Sequence, residues 1–282
     1  MGTPLAEAVP PPKSLGRQVA CEFFGTMFLV ATIIGSGMMG DNLSPDDGVA
    51  LLGNTLATWG ILYVLITALG PISGAHFNPV VSACCFLKRE MGFPKLVVFS
   101  VFQVGGGVVG AYVAHAMFMK RNGEFDGKDR DSDGEFFAEF VATVGLLSTI
   151  FGFVKARADV AMGVGLYITA GYWYTSSTSF ANPAVTIARS FTDTFAGISP
   201  KSFRGYFLGQ LLGLIFALPA TEWLFFDRDP LTALLTLLRR GAGPAPAKQA
   251  DTTGDDAPID DDGDDLPEDD VRTPAAVIVS AG

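Results

Sequence analysis

The chain has 282 residues, of which 49% are hydrophobic, 17% charged and 33 glycine, and its mean hydropathy is +0.36. That balance excludes a disordered or fibrous protein and sits far from an ordinary soluble domain. The net charge of −10 excludes a nucleic-acid binder built on basic charge, and it is concentrated at one end: residues 241–282 hold 2 Lys and Arg against 11 Asp and Glu, while residues 1–240 hold 17 against 18.

Residues 1–17 are polar and proline-rich, carry Lys13 and Arg17 directly before the first apolar run, and show no cleavable signal. They predict a cytoplasmic N-terminal tail. Six apolar runs follow, at about 18–39, 50–69, 96–119, 135–154, 160–178 and 203–226, each close to the ~20 residues that cross a bilayer as a helix. In hydrocarbon every backbone N–H and C=O must be satisfied within the segment, so these runs are predicted to be helices. Lys88, Arg89 and Lys95 before the third run, and Lys155 and Arg157 after the fourth, fall on the side of the N-terminus, as the positive-inside rule requires. Segment 120–134 argues the other way with Lys120, Arg121, Lys128 and Arg130. Residues 230–240 predict a short amphipathic helix at the cytoplasmic interface, and the Pro-, Gly- and Asp-rich remainder a solvated acidic tail. The chain thus divides into a tail over 1–17, a membrane domain over 18–226 and a cytoplasmic C-terminal region over 227–282, in the inner membrane of a cell.

The membrane domain repeats itself. Glu22-Phe23-Phe24-Gly25-Thr26 opens the first span, and Glu139-Phe140-Val141-Ala142-Thr143 opens the fourth, 117 residues later. Asn78-Pro79-Val80 follows the second span, and Asn182-Pro183-Ala184 follows the fifth, 104 residues apart. Each half, about 18–119 and 135–226, therefore holds three spans and one Asn-Pro element. Three is odd, so the halves cross the membrane in opposite directions, as an inverted repeat.

Asn is a favourable N-cap and Pro is favourable at the first helical position, so each Asn-Pro element reads as a helix start. The runs after them, about nine residues, are too short to span. Two such half-helices, entering from opposite faces, would meet N-terminus to N-terminus near the midplane. Their partial positive charges disfavour cations there, and the Asn side chains orient a passing hydroxyl so that a proton wire is interrupted. Glu22 and Glu139 are costly inside spans; each is expected to brace the non-helical loop beside it by accepting backbone N–H bonds. His76 is expected either to line the passage or to brace the loop. Cys84 and Cys85 are expected to be small buried residues at a tight helix contact, and no residue spacing suits a metal or a cofactor.

These residues resemble the major intrinsic protein family, the aquaporins and aquaglyceroporins, over about 18–226. The likeness is carried by the two Glu…Thr pairs, by Ser73-Gly74-Ala75-His76-Phe77-Asn78-Pro79, by Gln103 with the glycines after it, and by Ser179-Phe180-Ala181-Asn182-Pro183-Ala184. The resemblance implies an all-α membrane protein of six transmembrane helices and two re-entrant half-helices. It also implies a pore in each protomer, a homotetramer in a lipid bilayer, small neutral solutes as partners, and no enzymatic activity.

The chain departs from the family where the second motif usually continues with Arg at the external constriction; Val185 stands there. Arg189 lies two helical turns beyond Asn182 and reads as a structural or surface-facing residue. The other constriction positions implied by the family are Thr58, Ser179 and, in the fifth span, Ala170, or with a shift Gly171 or Tyr172. A constriction of Thr58, Ala170, Ser179 and Val185 would be wide, uncharged and mildly polar. The Val-substituted motif resembles a bacterial branch associated with arsenic resistance, which implies arsenite, as neutral As(OH)3, and methylated arsenicals as solutes beside glycerol-like polyols and water. A secondary transporter would need more ionisable residues in mid-span, and a membrane enzyme a nucleophile–base pair or metal cluster.

Overall fold

The computed structural model describes residues 14–120 and 127–229. The tail before residue 14, the amphipathic helix expected over 230–240 and the acidic tail lie outside the described residues. Within them the chain is all-helical: α1 Leu15–Leu43, α2 Asp47–Ser73, α3 Pro79–Leu87, α4 Phe93–Met117, α5 Asp133–Lys155, α6 Val160–Tyr174, α7 Pro183–Ala188 and α8 Phe203–Phe226. Local chemistry sets several of the starts. Ser14 and Asp46 cap α1 and α2, Asp159 caps α6, and Ser132 with Glu135 forms a reciprocal capping box on α5.

Five helices, α1, α2, α4, α5 and the stretch Pro200–Phe226, are long and apolar enough to cross a membrane. Their outward faces present Phe24, Leu56, Val101, Phe216 and Leu224, the surface expected against lipid. The fifth predicted span is shorter than expected. Helix α6 has 15 residues and stops at Tyr174, where Thr175 turns extended and its hydroxyl bonds back to Gly171 O at 2.6 Å. The polar run Thr175–Ser179 belongs to the loop that leads into α7.

The inverted repeat is visible in the packing. Helix α1 lies along α4, and α5 along α8, each pair brought close by glycine. A Cβ on Gly106 would lie 2.2 Å from Phe23 O, and one on Gly209 would lie 2.5 Å from Phe136 O. Those obstacles are backbone carbonyls, which cannot swing aside. Gly106→Ala is therefore expected to cost about 1–3 kcal/mol, read as a lower melting temperature of the detergent-solubilised protein; an unchanged value would show that the helices can separate freely.

One buried ion pair ties the first half-helix to the opposite half. Lys88, the C-cap of α3, bonds Glu222 of α8, which also accepts from Arg228 at 2.7 Å, and the Lys88 ammonium sits 4.4 Å from the Phe151 ring centre. Lys88→Met is expected to destabilise the fold by about 3–5 kcal/mol, because Glu222 would keep only its more exposed partner; a chemical-denaturation midpoint equal to wild type would contradict this.

Candidate functional site

Two short helices are held head to head by their own caps. Asn78 accepts from Val80 N at 2.9 Å, and Asn182 accepts from Ala184 N at 2.9 Å and Val185 N at 3.3 Å. Pro79 and Pro183 occupy the first helical positions, which require no N–H bond. The free end of each amide crosses to the other half: Asn78 Nδ2 donates to Ala181 O at 2.8 Å, and Asn182 Nδ2 to Phe77 O at 2.9 Å. A side-chain amide has two N–H donors, so one from each Asn remains for whatever lies between.

The loops that deliver these caps are strained. Gly74, Ala75 and Phe77 in one half, and Thr178, Ser179 and Ala181 in the other, have positive φ, between 45° and 92°, a region that non-glycine residues enter at a cost. Two fully buried carboxylates offset it. Glu22 accepts from Ser73 Oγ at 2.7 Å, His76 N at 3.1 Å, Phe77 N at 2.7 Å and Gln103 Nε2 at 2.8 Å. Glu139 accepts from Ser177 Oγ at 2.6 Å, Phe180 N at 2.9 Å, Ala181 N at 2.8 Å and Gln210 Nε2 at 2.7 Å. The two sets match residue for residue. Gln103 also reaches Ser82 Oγ and Gln210 reaches Thr186 Oγ1, each at 3.0 Å, joining carboxylate, loop and half-helix into one unit. Gln210 was legible as the partner of Gln103 only through the repeat.

Between the loops runs a narrow passage of about 80 Å3. One wall is an aliphatic stripe on α6, Val160, Val164 and Ile168, ending in Tyr172. The opposite side carries Leu29 and Ile33 of α1 and Thr58 and Leu62 of α2. Polar groups are few: Asn78, Asn182, Thr58, Tyr172, Ser179, Arg189 and, toward the other end, His76. His76 both lines and braces. Its backbone N–H bonds Glu22, its Nδ1 lies 3.0 Å from Ser82 Oγ, and its Nε2 lies 3.7 Å from Cys85 Sγ. Ser179 Oγ is buried with no partner among the described residues.

The four-residue constriction expected from the sequence is assembled in part. Thr58, Ser179 and Val185 line the passage; Ala170 does not. Positions 164, 168 and 172 share one face of α6, and a residue two places from Tyr172 points roughly 200° away, so Ala170 is exposed. Gly171 is buried against Ser179. Tyr172 supplies the α6 contribution, with its hydroxyl 3.1 Å from Thr58 Oγ1; since Thr58 already donates to Asn54 O at 2.8 Å, Tyr172 is the donor.

Arg189 departs further from expectation, because it is neither surface-facing nor remote. It is 3% exposed and lines the same passage, one turn beyond Val185 on the same face. Helix α7 ends at Ala188 and tightens into a 3₁₀ turn over Arg189–Phe191. The guanidinium donates from Nε to Ala196 O and lies over the Phe180 ring, 3.7 Å from its centre. The lining of the passage therefore includes an arginine.

Residues 12–159 match the major intrinsic protein family. The chain is 44% identical to the aquaglyceroporin AqpS of Rhizobium meliloti (strain 1021) over 77% of this chain and 94% of that protein. It is 27% identical to aquaporin NIP1-1 of Oryza sativa subsp. japonica over 76% of each. The aquaglyceroporin structure from Plasmodium falciparum superposes with a TM-score of 0.60 at 21% identity, covering 78% of this chain and all of that one.

Proposed function

We propose, since the chain belongs to the major intrinsic protein family, that its passage carries neutral polyhydroxyl solutes: glycerol-like polyols, arsenite as As(OH)3 and methylated arsenicals, together with water. Members of that family are passive membrane channels for small solutes and not enzymes. The observation that carries the reading is the pairing of a largely aliphatic wall with a short ladder of hydrogen-bonding groups. Asn78, Asn182 and Ser179 offer unfilled bonds along the passage, while Leu29 and Ile33 on one side and Val160, Val164 and Ile168 on the other offer none. A small neutral solute whose few hydroxyls meet those groups and whose remaining surface rests on the aliphatic residues fits that lining; an ion, which needs its whole hydration shell replaced, does not.

A homotetramer in the inner membrane, with both termini cytoplasmic, belongs to the same proposal. The test is stopped-flow light scattering on proteoliposomes. Glycerol and arsenite are expected to equilibrate down their gradients with no saturation. Saturating flux, or uphill flux driven by an imposed ion gradient, would identify a transporter instead; glycerol flux without arsenite flux would leave a polyol and water facilitator with no metalloid role.

A further inference from the structure

We propose that Arg189 is the charge-selecting residue of this passage, and that width and charge at the outer constriction are assigned to two different residues, width to Val185 and charge to Arg189. The inference rests on the channel reading above and adds to it a residue that the Asn-Pro motif does not contain.

Three observations carry it. First, Arg189 shares the passage wall with Val185 one helical turn away, so a solute that clears Val185 must also pass the guanidinium. Second, the cation is held in place without being neutralised. Its Nε is bound to a carbonyl and its face rests on Phe180, yet it forms no salt bridge among the described residues. Glu139, the buried acid that braces this half's loop, is committed to Ser177, Phe180, Ala181 and Gln210. Third, Arg130 sits 5.8 Å from the centre of the same Phe180 ring, adding a second positive charge to the neighbourhood.

The placement matters because the two properties then vary independently. A side chain on Val185 changes how large a solute passes, while the guanidinium, anchored on Phe180, stays to one side and repels cations. A unit charge roughly 6 Å from a permeating monovalent cation, at an effective dielectric of about 20, lowers that cation's local population about a hundredfold. Neutral solutes are untouched by that term and gain hydrogen-bond donors from the guanidinium N–H groups.

The full chain in proteoliposomes tests this, with glycerol permeability read by light scattering and guanidinium or sodium conductance read electrically on the same preparation. Arg189→Met and Arg189→Gln are expected to raise the ratio of cation conductance to glycerol permeability at least tenfold. The Gln variant keeps a donor for Ala196 O and so covers the case in which Met does not fold. Arg189→Lys retains the charge and is expected to reject cations as wild type does. Val185→Leu is expected to lower glycerol permeability without opening a cation conductance. An Arg189→Gln protein that passes glycerol and still rejects cations overturns the assignment, as does a Val185 variant that leaks cations by itself. A wild-type protein that passes neither glycerol nor water overturns the channel reading, and this inference with it.

Discussion

Replacement of Glu139 by alanine is expected to collapse the second half of the passage and to lower the melting temperature of the solubilised protein by roughly 10 °C or more. The carboxylate is fully buried and accepts from two backbone N–H groups, a serine hydroxyl and a glutamine amide. Removing it leaves those donors buried with no acceptor, at about 1–3 kcal/mol for each that water cannot reach. The loop it holds cannot relax into an alternative, because Thr178, Ser179 and Ala181 are in the left-handed region only while those bonds hold them there. The sum is a large fraction of the ~5–15 kcal/mol that typically separates folded from unfolded protein. Glu139→Gln should be milder, since the amide oxygen still accepts from one of the backbone N–H groups while its NH2 faces donors. Size-exclusion profiles after a heating series would order the three proteins, wild type above Gln above Ala. A Glu139→Ala protein that survives heating like wild type would show that the strained loop holds itself.

How much of this was legible in the sequence depends on what kind of signal each feature leaves. The inverted repeat was legible because it needs only counting: three spans per half, and matching Glu…Thr and Asn-Pro elements. The facing of Asn78 and Asn182 follows from the same parity. The role of Glu22 and Glu139 was legible because an acid within an apolar span must have partners. The α6 wall was not. Gly163, Gly165 and Gly171 interrupt side-chain periodicity there, so no apolar stripe stood out, and counting back from Asn182 assumed a loop length that the early end of α6 at Tyr174 does not respect. The stripe Val160, Val164, Ile168 and Tyr172 was nonetheless present at i, i+4 spacing and would have excluded Ala170. Arg189 was missed for a different reason. Two turns separate it from Asn182, as the spacing predicts, but being four residues after Val185 also puts it on the same face, and a guanidinium on a long stem reaches back toward the lumen.

That second lesson bears on Val185→Arg, for which a loss of glycerol flux of at least tenfold is expected, with water flux reduced less. Val185 is buried against a passage of about 80 Å3, so an arginine there must either enter the lumen or displace its neighbours. Helical spacing sets the new guanidinium beside Arg189, and among the described residues no carboxylate lines the passage to pair with either. Two like charges four residues apart repel. Arg189 is pinned by Ala196 O and Phe180, so the newcomer is the one that moves, and the direction open to it is the passage. There it narrows the aperture below the width of a three-carbon polyol while leaving room for single-file water, whose oxygens accept the added N–H donors. Stopped-flow measurements of both solutes on one preparation decide the matter, and Val185→Ala supplies the opposite limit, with glycerol flux at or above wild type. Equal glycerol flux in Val185→Arg and wild type would mean that solutes do not pass Val185, and the aperture would then have to be sought between Thr58 and Tyr172, whose hydroxyls already touch at 3.1 Å.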